Sequence, residues 1–350
     1  MKHIFVIHSN ITYLISLAVV QKENLKTEEI LFISDGYTCN GPIPVKVVKV
    51  EANRNILKKS LLRYTRLLFN PQCELYMAID TFLKGDSFIA YVPILHLVKK
   101  LVLLHPRCLQ FHFIEEGLAS YYTTMTLDSY ACIHPYGWFY SKGIKGLKNR
   151  FHTAYKEFCF KTRKIESIPI QYMNHDAYGR KFYAFSEFAY QSIQYGEKVI
   201  VPINPLISVY KLDEISDVSD ACIWIGDPDV EERYGKNVFS SCLNERLFSH
   251  IKNNILYVRF HYREGHTQRR EFQYLLEKNN IKYKIINDDQ IMELVLLKSI
   301  NCKCFGIGST LLIYASIFGH KSYSVAEGFP KYRENLDNIV PVFSKFVTYI

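Results

Sequence analysis

The sequence lacks the long apolar runs of a membrane-spanning protein. A spanning helix needs about 20 predominantly apolar residues, and no uninterrupted apolar stretch approaches that length. The N-terminal run MKHIFVIHSNITYLISLAVV is broken by His8, Ser9 and Asn10, and no small-residue cleavage site follows it. We therefore expect a cytoplasmic protein without a signal peptide.

The nine cysteines are not spaced for metal binding. Only Cys302 and Cys304 lie close together, and the sequence contains no CxxC pair or Cys/His cluster with the spacing that zinc requires. This pattern favours reduced, mostly buried thiols.

Internal repeats, low-complexity tracts and nucleic-acid-binding signatures are also missing. Hydrophobic residues make up 48% of the 350 residues and charged residues 22%, which is typical of a folded globular protein. The formal net charge of +9 favours contact with phosphates of a nucleotide, a nucleic acid or an anionic lipid surface. Basic residues are in local excess at 142–164, which is also what a solvated basic helix would show.

The pattern along the chain alternates between strands and helices. In the first part the predicted strands are IFVIHSN, EILFIS, VKVVKV, CELYMAI and LQFHFI, and the predicted helices are ITYLISLAVVQK, RNILKKSLLRYTRLLF and YVPILHLVKKLVLL. From about residue 218 the predicted strands are CIWIGD, ILYVRF, IKYKII, KCFGIG and KSYSVA, with helices FSSCLNERLFSHIKNN, TQRREFQYLLEKN, QIMELVLLK and STLLIYASIFG between them. Such alternation predicts parallel, doubly wound sheets.

The alternation is interrupted once, which divides the chain. Residues 126–200 are weakly periodic and rich in Tyr, Phe and Lys, so we interpret them as an insertion or a helical cap in an N-terminal domain of residues 1–205. A second domain is predicted at 206–332, and a C-terminal helix at 333–350 is expected to pack back on the first domain. Ligands of doubly wound sheets bind outside the carboxyl ends of the strands, so motifs at those positions are the candidates for function.

One such motif is the acidic turn after strand LQFHFI. Glu115, Glu116 and Gly117 follow this strand directly. A carboxylate there can act as a general base, because burial and a neighbouring carboxylate raise its pKa. The alternative is a strand-to-helix turn whose acidic residues are favoured by the helix N-terminus.

A second motif is the glycine-containing turn of GIGSTLLIYASIFG. Gly306 and Gly308 allow a ligand to approach the backbone, and Ser309 or Thr310 caps the following helix. The free N–H groups of a helix N-terminus bind phosphate. The turn matches neither the GxGxxG nor the GxxxxGK[ST] pattern, and an ordinary capped turn would look the same.

Two further residues lie near strand ends of the second half. His261 directly follows strand ILYVRF, where an imidazolium can hydrogen-bond a departing phosphate. His266 is a rival for this role, and the alternative is that His261 is a structural histidine. Glu293, on helix QIMELVLLK ahead of Ser309, can accept both hydroxyls of a ribose, or be a helix charge of no special function.

The order of these motifs resembles the bacterial sialyltransferases of the GT-B fold, the enzymes of capsule, polysialic acid and lipooligosaccharide synthesis. The resemblance spans residues 1 to about 330 and includes Tyr121, the aromatic residue expected four positions after Gly117. The family's histidine is normally followed by proline, whereas His261 is followed by Tyr262. His105-Pro106 and His134-Pro135 precede the second domain and do not fit the motif order.

The resemblance implies two Rossmann-like domains facing across a cleft and a metal-independent, inverting transfer of sialic acid from CMP-sialic acid to a hydroxyl of an acceptor glycan, with no cofactor. Glu115 is then the base, and Glu116, Gly117, Ser9 and Asn10 are expected to contact donor or acceptor. The phosphate and ribose contacts fall to His261, Gly308, Ser309, Thr310 and Glu293. Asp227-Pro228-Asp229 has the spacing of a metal-binding DxD, but a proline separates its acids.

The expected partners are a nucleotide sugar and an acceptor oligosaccharide, a galactoside of a capsule, lipopolysaccharide or O-antigen. If the acceptor is lipid-linked, the basic segment at 142–164 would contact the anionic inner membrane peripherally. A CMP-Kdo or other nonulosonic acid transferase would use the same motifs. A basic nucleic-acid-binding protein is the non-enzyme alternative, which explains the charge but not the phosphate turn, so we expect no nucleic-acid partner.

Overall fold

The computed structural model describes residues 1–37, 46–50, 74–93, 97–103, 105–122, 180–191, 196–203, 215–227, 234–251, 254–261 and 264–350. The chain forms two compact units, one of Met1–Ser120 with Trp138–Tyr210 and the other of Tyr121–Gly137 with Lys211–Ile350.

The first unit is built on a seven-stranded sheet with the order β3-β2-β1-β4-β5-β6-β7, and all its strand pairs are parallel. Its strands are β1 (Lys2–Ile7), β2 (Ile30–Asp35), β3 (Lys46–Val50), β4 (Phe88–Val92), β5 (Cys108–Ile114), β6 (Lys181–Ala184) and β7 (Glu197–Ile200). The described α-helices of this unit are α1 (Asn10–Lys22), α2 (Glu74–Leu83) and α3 (Leu97–Leu103).

The centre of this sheet forms where the sequence is most continuously apolar. Strand β2 is buried along its whole length and β1 along all but its first residue, as expected of parallel strands covered on both faces. Helix α1 begins at Asn10 because Ser9 is its N-cap. The Ser9 hydroxyl accepts the Thr12 N–H at 3.3 Å and the Thr12 hydroxyl accepts the Ser9 N–H at 3.0 Å, which forms a capping box.

Two predictions for the first unit were wrong in detail. The segment CELYMAI was predicted to be a strand, but it lies mainly in helix α2, where Leu75, Ile79 and Leu83 are buried at a helical spacing of four residues. The strand is instead FIAYV, or β4, whose last two residues were assigned to a helix. Strand β4 ends before Pro93, which cannot donate a ladder hydrogen bond.

The prediction of an insertion at 126–200 was also wrong at its C-terminal end. Residues 181–184 and 197–200 are the strands β6 and β7, which complete the first sheet. Residues 126–179 and 192–195 of that predicted insertion, which include the basic segment at 142–164, lie outside the described residues, as does the predicted helix RNILKKSLLRYTRLLF.

The second unit contains a six-stranded parallel sheet with the order β10-β9-β8-β11-β12-β13. Its strands are β8 (Cys222–Ile225), β9 (Leu256–Arg259), β10 (Tyr283–Ile285), β11 (Lys303–Gly306), β12 (Lys321–Ser324) and β13 (Thr348–Tyr349). Its described α-helices are α4 (Lys236–Cys242), α5 (His266–Lys278), α6 (Met292–Lys298), α7 (Thr310–Ile317), α8 (Pro330–Ile339) and α9 (Phe343–Phe346), and α4 continues into a π-helical turn at Leu243–Leu247.

Both sheets share the Rossmann order, in which the chain starts at an inner strand, builds one side and then crosses to the other. The strand order reverses between β1 and β4 in the first sheet and between β8 and β11 in the second, and ligands of open α/β sheets bind at such points. At the C-terminus, β13 pairs with β12 of the second sheet. The expected packing of residues 333–350 on the first domain stays a prediction.

Candidate functional site

In the first unit, polar side chains from two strand ends meet at the carboxyl edge of the sheet. Strand β1 is followed by His8 and strand β5 by Glu115 and Glu116, and β4 lies between these two strands. The Nε2 atom of His8 lies 3.2 Å from Oε1 of Glu116. A carboxylate–imidazole pair therefore stands at the point where the strand order reverses.

The backbone around Glu116 is fixed by a tight turn. The Glu116 N–H donates to the Ser120 hydroxyl at 2.9 Å, and the Ser120 N–H donates to the Gly117 carbonyl at 2.9 Å. Gly117 has a φ of +115°, a conformation that side chains disfavour and glycine adopts easily. Its place in the acidic motif is thus explained by the turn that presents Glu116.

His8 is held at the start of helix α1. Its backbone N–H donates to the Thr12 hydroxyl at 3.0 Å, so the capping box also positions this residue. The side chains of His8 and Glu116 are 21% and 17% exposed, which leaves the pair in contact with solvent. The Nδ1 atom of His8 is buried and has no hydrogen-bond partner among the described residues.

Glu115 has different surroundings from its neighbour. It is 0% exposed, and its Oε2 accepts the backbone N–H of Phe185, beyond strand β6, at 2.8 Å. Its own N–H donates to the Tyr183 carbonyl at 3.0 Å. Glu115 thus ties β5 to the chain after β6. Its predicted role as the base stays a prediction, and this burial disfavours it.

Ser9 and Asn10 contact the chain itself. Ser9 caps helix α1, and the Oδ1 atom of Asn10 accepts the hydroxyl of Tyr37 at 2.6 Å. These contacts place both residues at the same edge as His8, and their predicted contacts with substrate stay predictions.

In the second unit, the predicted phosphate turn lies at the N-terminus of helix α7. Ser309 is the N-cap, and its hydroxyl accepts the Leu311 N–H at 3.3 Å. Ser309 and Thr310 are half-buried. The remaining N–H groups of the first turn and the positive end of the helix dipole suit an anion at this position.

Gly308 has another reason to be glycine than the one inferred from the sequence. A side chain at this position would overlap the phenol of Tyr332 from helix α8. The space that was expected to admit a ligand is therefore occupied by Tyr332, whose hydroxyl stands beside the turn. Sequence reasoning missed Tyr332 because it lies more than twenty residues away on another helix.

His261 lies just beyond strand β9, in a turn closed by Glu264. The His261 N–H donates to Oε2 of Glu264 at 2.6 Å, and the Glu264 N–H donates to the His261 carbonyl at 2.9 Å. Gly226, which follows the adjacent strand β8, makes room for that acid, because a Cβ there would lie 2.5 Å from the Glu264 carboxylate. Glu264 is a second edge residue that the sequence did not single out.

Glu293 is buried in the first turn of helix α6, at 8% exposure. Burial raises the pKa of its carboxyl group above the usual range, and the charge of Arg259 opposes that rise without cancelling it. Arg259 itself is held by the backbone carbonyls of Asn287 and Asp288. Glu293 is therefore a buried carboxyl group whose ionisation is disfavoured by burial, and not the partly exposed helix charge of the alternative interpretation.

Within the described part of the chain, no group of three or more His, Cys, Asp or Glu side chains is arranged to hold a metal ion. None of the helices described there is long and apolar enough to cross a membrane.

Comparison with protein-family models finds no match, and comparison with curated proteins finds none either. Solved structures do resemble the chain. A Staphylococcus aureus MnaA–UDP complex is 13% identical, with a TM-score of 0.51 over 96% of this chain and 86% of that one. A Neisseria meningitidis UDP-GlcNAc 2-epimerase bound to UDP-GlcNAc is 14% identical, with a TM-score of 0.46 over 99% and 91%. An Acinetobacter baumannii MurG is 11% identical, with a TM-score of 0.40 over 100% and 85%.

The two Rossmann-like parallel sheets and the likeness to the MnaA structure confirm the predicted GT-B fold. At this level of identity the likeness concerns the fold alone.

Proposed function

We propose that the protein is an inverting glycosyltransferase that moves sialic acid from CMP-sialic acid to a hydroxyl group of an acceptor glycan. The observation that carries this proposal is the Glu116–His8 pair, 3.2 Å apart at the carboxyl edge of the first sheet. The GT-B fold supports sugar transfer, and the order of the sequence motifs supports the sialic acid donor.

In this proposal the first unit activates the acceptor. The Glu116 carboxylate removes the proton of the acceptor hydroxyl while its oxygen attacks the anomeric carbon of the donor. The new carbon–oxygen bond forms as the bond to the phosphate breaks, the electron pair leaves with CMP, and the configuration inverts. His8 donates through Nε2 to Glu116 and so holds the carboxylate in place.

The second unit binds the departing nucleotide. Negative charge develops on the CMP phosphate, and the hydroxyl groups of Ser309 and Thr310 with the N–H groups of helix α7 stabilise it. His261 helps to stabilise the charge on the same phosphate, and Glu293 binds the ribose, as the sequence resemblance implies. In this scheme the protein's own side chains and backbone N–H groups supply each step, without a metal.

An assay with several donors tests the donor and the reaction together. The protein is incubated with lactose and, separately, CMP-sialic acid, CMP-Kdo and UDP-GlcNAc, the last because a UDP complex has the same fold. We expect a sialylated, inverted product from CMP-sialic acid alone. Transfer from another donor would show that CMP-sialic acid is the wrong donor in this proposal. If none of the donors is either transferred or hydrolysed, the proposal is overturned.

Paired substitutions test which glutamate is the base. Glu116→Gln should lower kcat by about 10²–10⁴, the usual weight of a general base, and leave CMP binding unchanged. Glu115→Gln should keep most of the turnover, since an amide oxygen can still accept the Phe185 N–H. The reverse result would return the role of base to Glu115, as the sequence resemblance implies.

A further inference from the structure

A separate cavity of about 420 Å³ opens on one face of the first sheet. Its lining comes from strands β1, β4, β5, β6 and β7 and from the C-terminal end of helix α1. Several lining residues, such as His3, Lys181 and Glu197, stand at or next to the first position of their strands. The cavity therefore lies towards the amino ends of the strands, whereas Glu116 lies at the carboxyl edge.

This face of the sheet is unusually polar. Parallel strands usually present apolar side chains on both faces, but Tyr91 of β4 pairs in register with His112 of β5, and both line the cavity. Lys181 and Tyr183 of β6 continue the polar surface. Burying such groups is costly unless they are hydrogen-bonded, so the stability of this surface depends on the partners that these groups have.

The polar groups of the cavity hold one another in place. The Tyr183 hydroxyl donates to Oε1 of Glu23 at 2.7 Å, and the Lys181 ammonium donates to the same oxygen at 3.1 Å. The Lys181 N–H donates to Nδ1 of His112 at 3.1 Å, which places the proton of the neutral ring on Nε2. Nδ1 of His3 lies 3.2 Å from the Tyr91 hydroxyl. The lining is thus a preformed set of donors and acceptors.

The lining carries no net charge at neutral pH. Glu23 and Glu197 are balanced by Arg180 and Lys181. Burial opposes the ionisation of Glu23, but the hydrogen bonds from Tyr183 and Lys181 outweigh it and hold its pKa below the usual range. Burial, then the charge of Lys181, lowers the pKa of His112 to about 4, so this ring is neutral. Such a surface offers no excess positive charge to a nucleotide phosphate.

Aromatic rings complete the cavity. The ring centroids of Tyr91 and His112 are 5.5 Å apart, and those of Tyr91 and Tyr183 are 5.9 Å apart. Rings that present an apolar face beside hydroxyl and imidazole groups suit a ligand with both C–H faces and hydroxyls. The volume lies within the range of small-molecule sites, about 300–1,000 Å³.

We propose that this cavity is a binding site for an uncharged mono- or disaccharide unit, separate from the groups that carry out transfer. The inference rests on the cavity alone and stands whether or not the proposed function does. In this proposal the amino ends of the strands in the first sheet bind an uncharged part of a glycan.

Blocking the cavity tests this inference. Binding of lactose, maltose and chitobiose to the whole protein is measured by saturation-transfer NMR and calorimetry. Gln110 is an exposed lining residue, and Gln110→Trp should weaken binding at least tenfold by filling the opening. Leu109→Trp is the matched control, because Leu109 is the adjacent residue, is 63% exposed and does not line the cavity; it should leave affinity unchanged.

Further arms separate this site from the proposed transferase site. Saccharide binding should persist in Glu116→Gln, should not be displaced by CMP, and should be the same at 50 and at 500 mM salt, since an uncharged ligand is not subject to ionic screening. Failure of all three saccharides to bind would overturn the inference. So would equal affinity in Gln110→Trp and wild type, or binding that Glu116→Gln abolishes.

Discussion

Two adjacent glutamates show how a side chain's role depends on residues distant in sequence. Glu115 and Glu116 have the same side chain but different surroundings. Glu115 is buried and accepts a hydrogen bond from the Phe185 N–H, whereas Glu116 lies at the edge of the sheet and pairs with His8. Successive residues of an extended chain point in opposite directions. The acidic motif could be predicted from the sequence, but the choice between its two acids depends on a contact 70 residues away.

Glu293 links the stability of the protein to pH. Because burial raises its pKa in the folded state, the unfolded chain gives up this proton at a lower pH than the folded chain. The contribution of the group to stability is therefore retained at low pH and lost as the pH rises through the folded-state pKa. Glu293→Gln cannot ionise, so it should be more stable than wild type at pH 8 and about equal at pH 4 in urea unfolding.

The same substitution should weaken CMP binding if Glu293 holds the ribose. Loss of hydrogen bonds to a charged group corresponds to an affinity about 10- to 100-fold lower. Glu334→Gln on helix α8 makes the same chemical change at an exposed position and should alter neither property. A variant that gained stability at pH 8 but bound CMP normally would leave Glu293 as a buried acid with no part in the site.

Some site residues could be predicted from the sequence and others could not. Ser309 could, because serine before an apolar helical run is a local capping signal. His8 directly follows the first buried strand, so its position was a usable signal, although it was interpreted only as a break in an apolar run. Tyr332 and Glu264 had no such signal, since the glycines that accommodate them, Gly308 and Gly226, are distant in sequence.

Among the elements, strands with a continuous apolar run and helices with a clear apolar period were predicted correctly, whereas strands β6 and β7 were missed. Helices α1, α5 and α7 and strands β1, β2 and β8 lie where the apolar pattern placed them. Strands β6 and β7 have only four residues each, with polar residues such as Lys181 and Glu197 among them. They form strands because neighbouring strands pair with them. Four residues of mixed polarity show no apolar pattern from which this pairing could be predicted.

Helix α7 should separate the capping role of Ser309 from its proposed phosphate contact. Ser309→Ala removes the cap and should cost about 1 kcal/mol of stability. Ser309→Asp keeps a good cap, favoured by the helix dipole, but places a negative charge beside the nucleotide phosphate. We expect this variant to be as stable as wild type in urea unfolding and to lose CMP binding in calorimetry.

Ser309→Asn and Ser9→Asp are the controls for that experiment. Asparagine is a neutral N-cap, so it should retain more CMP affinity than aspartate. Ser9 caps α1 of the first unit in the same way, and its replacement by aspartate should not affect CMP binding. Equal CMP affinity in wild type and a folded Ser309→Asp variant would place the phosphate elsewhere.

For the whole molecule, two parallel, doubly wound sheets were predicted from two alternating regions of sequence, and this prediction is confirmed. Alternation suffices because each parallel pair needs a crossover, most often a helix, and such crossovers are nearly always right-handed. Where one unit ends and the other begins is a property of tertiary contacts. Tyr121 and Tyr122 group with the second unit although they follow β5 of the first, and no local pattern indicates this.

The proposed division of labour between the units leads to a prediction for the whole chain. If the nucleotide binds at α7, saturating CMP should slow backbone hydrogen exchange in peptides that cover β11 and α7, residues 303–317, because ligand binding stabilises the folded state of its own site. Peptides of β1 and β2 should exchange at an unchanged rate, and Ser309→Asp should abolish the CMP effect. A neutral disaccharide should give the opposite pattern. It should slow hydrogen exchange in peptides of β4 to β6 and leave the exchange rate of residues 303–317 unchanged. Protection of β1 and β2 by CMP would assign the nucleotide to the first sheet, and the carboxylate–imidazole pair would then belong to the donor site.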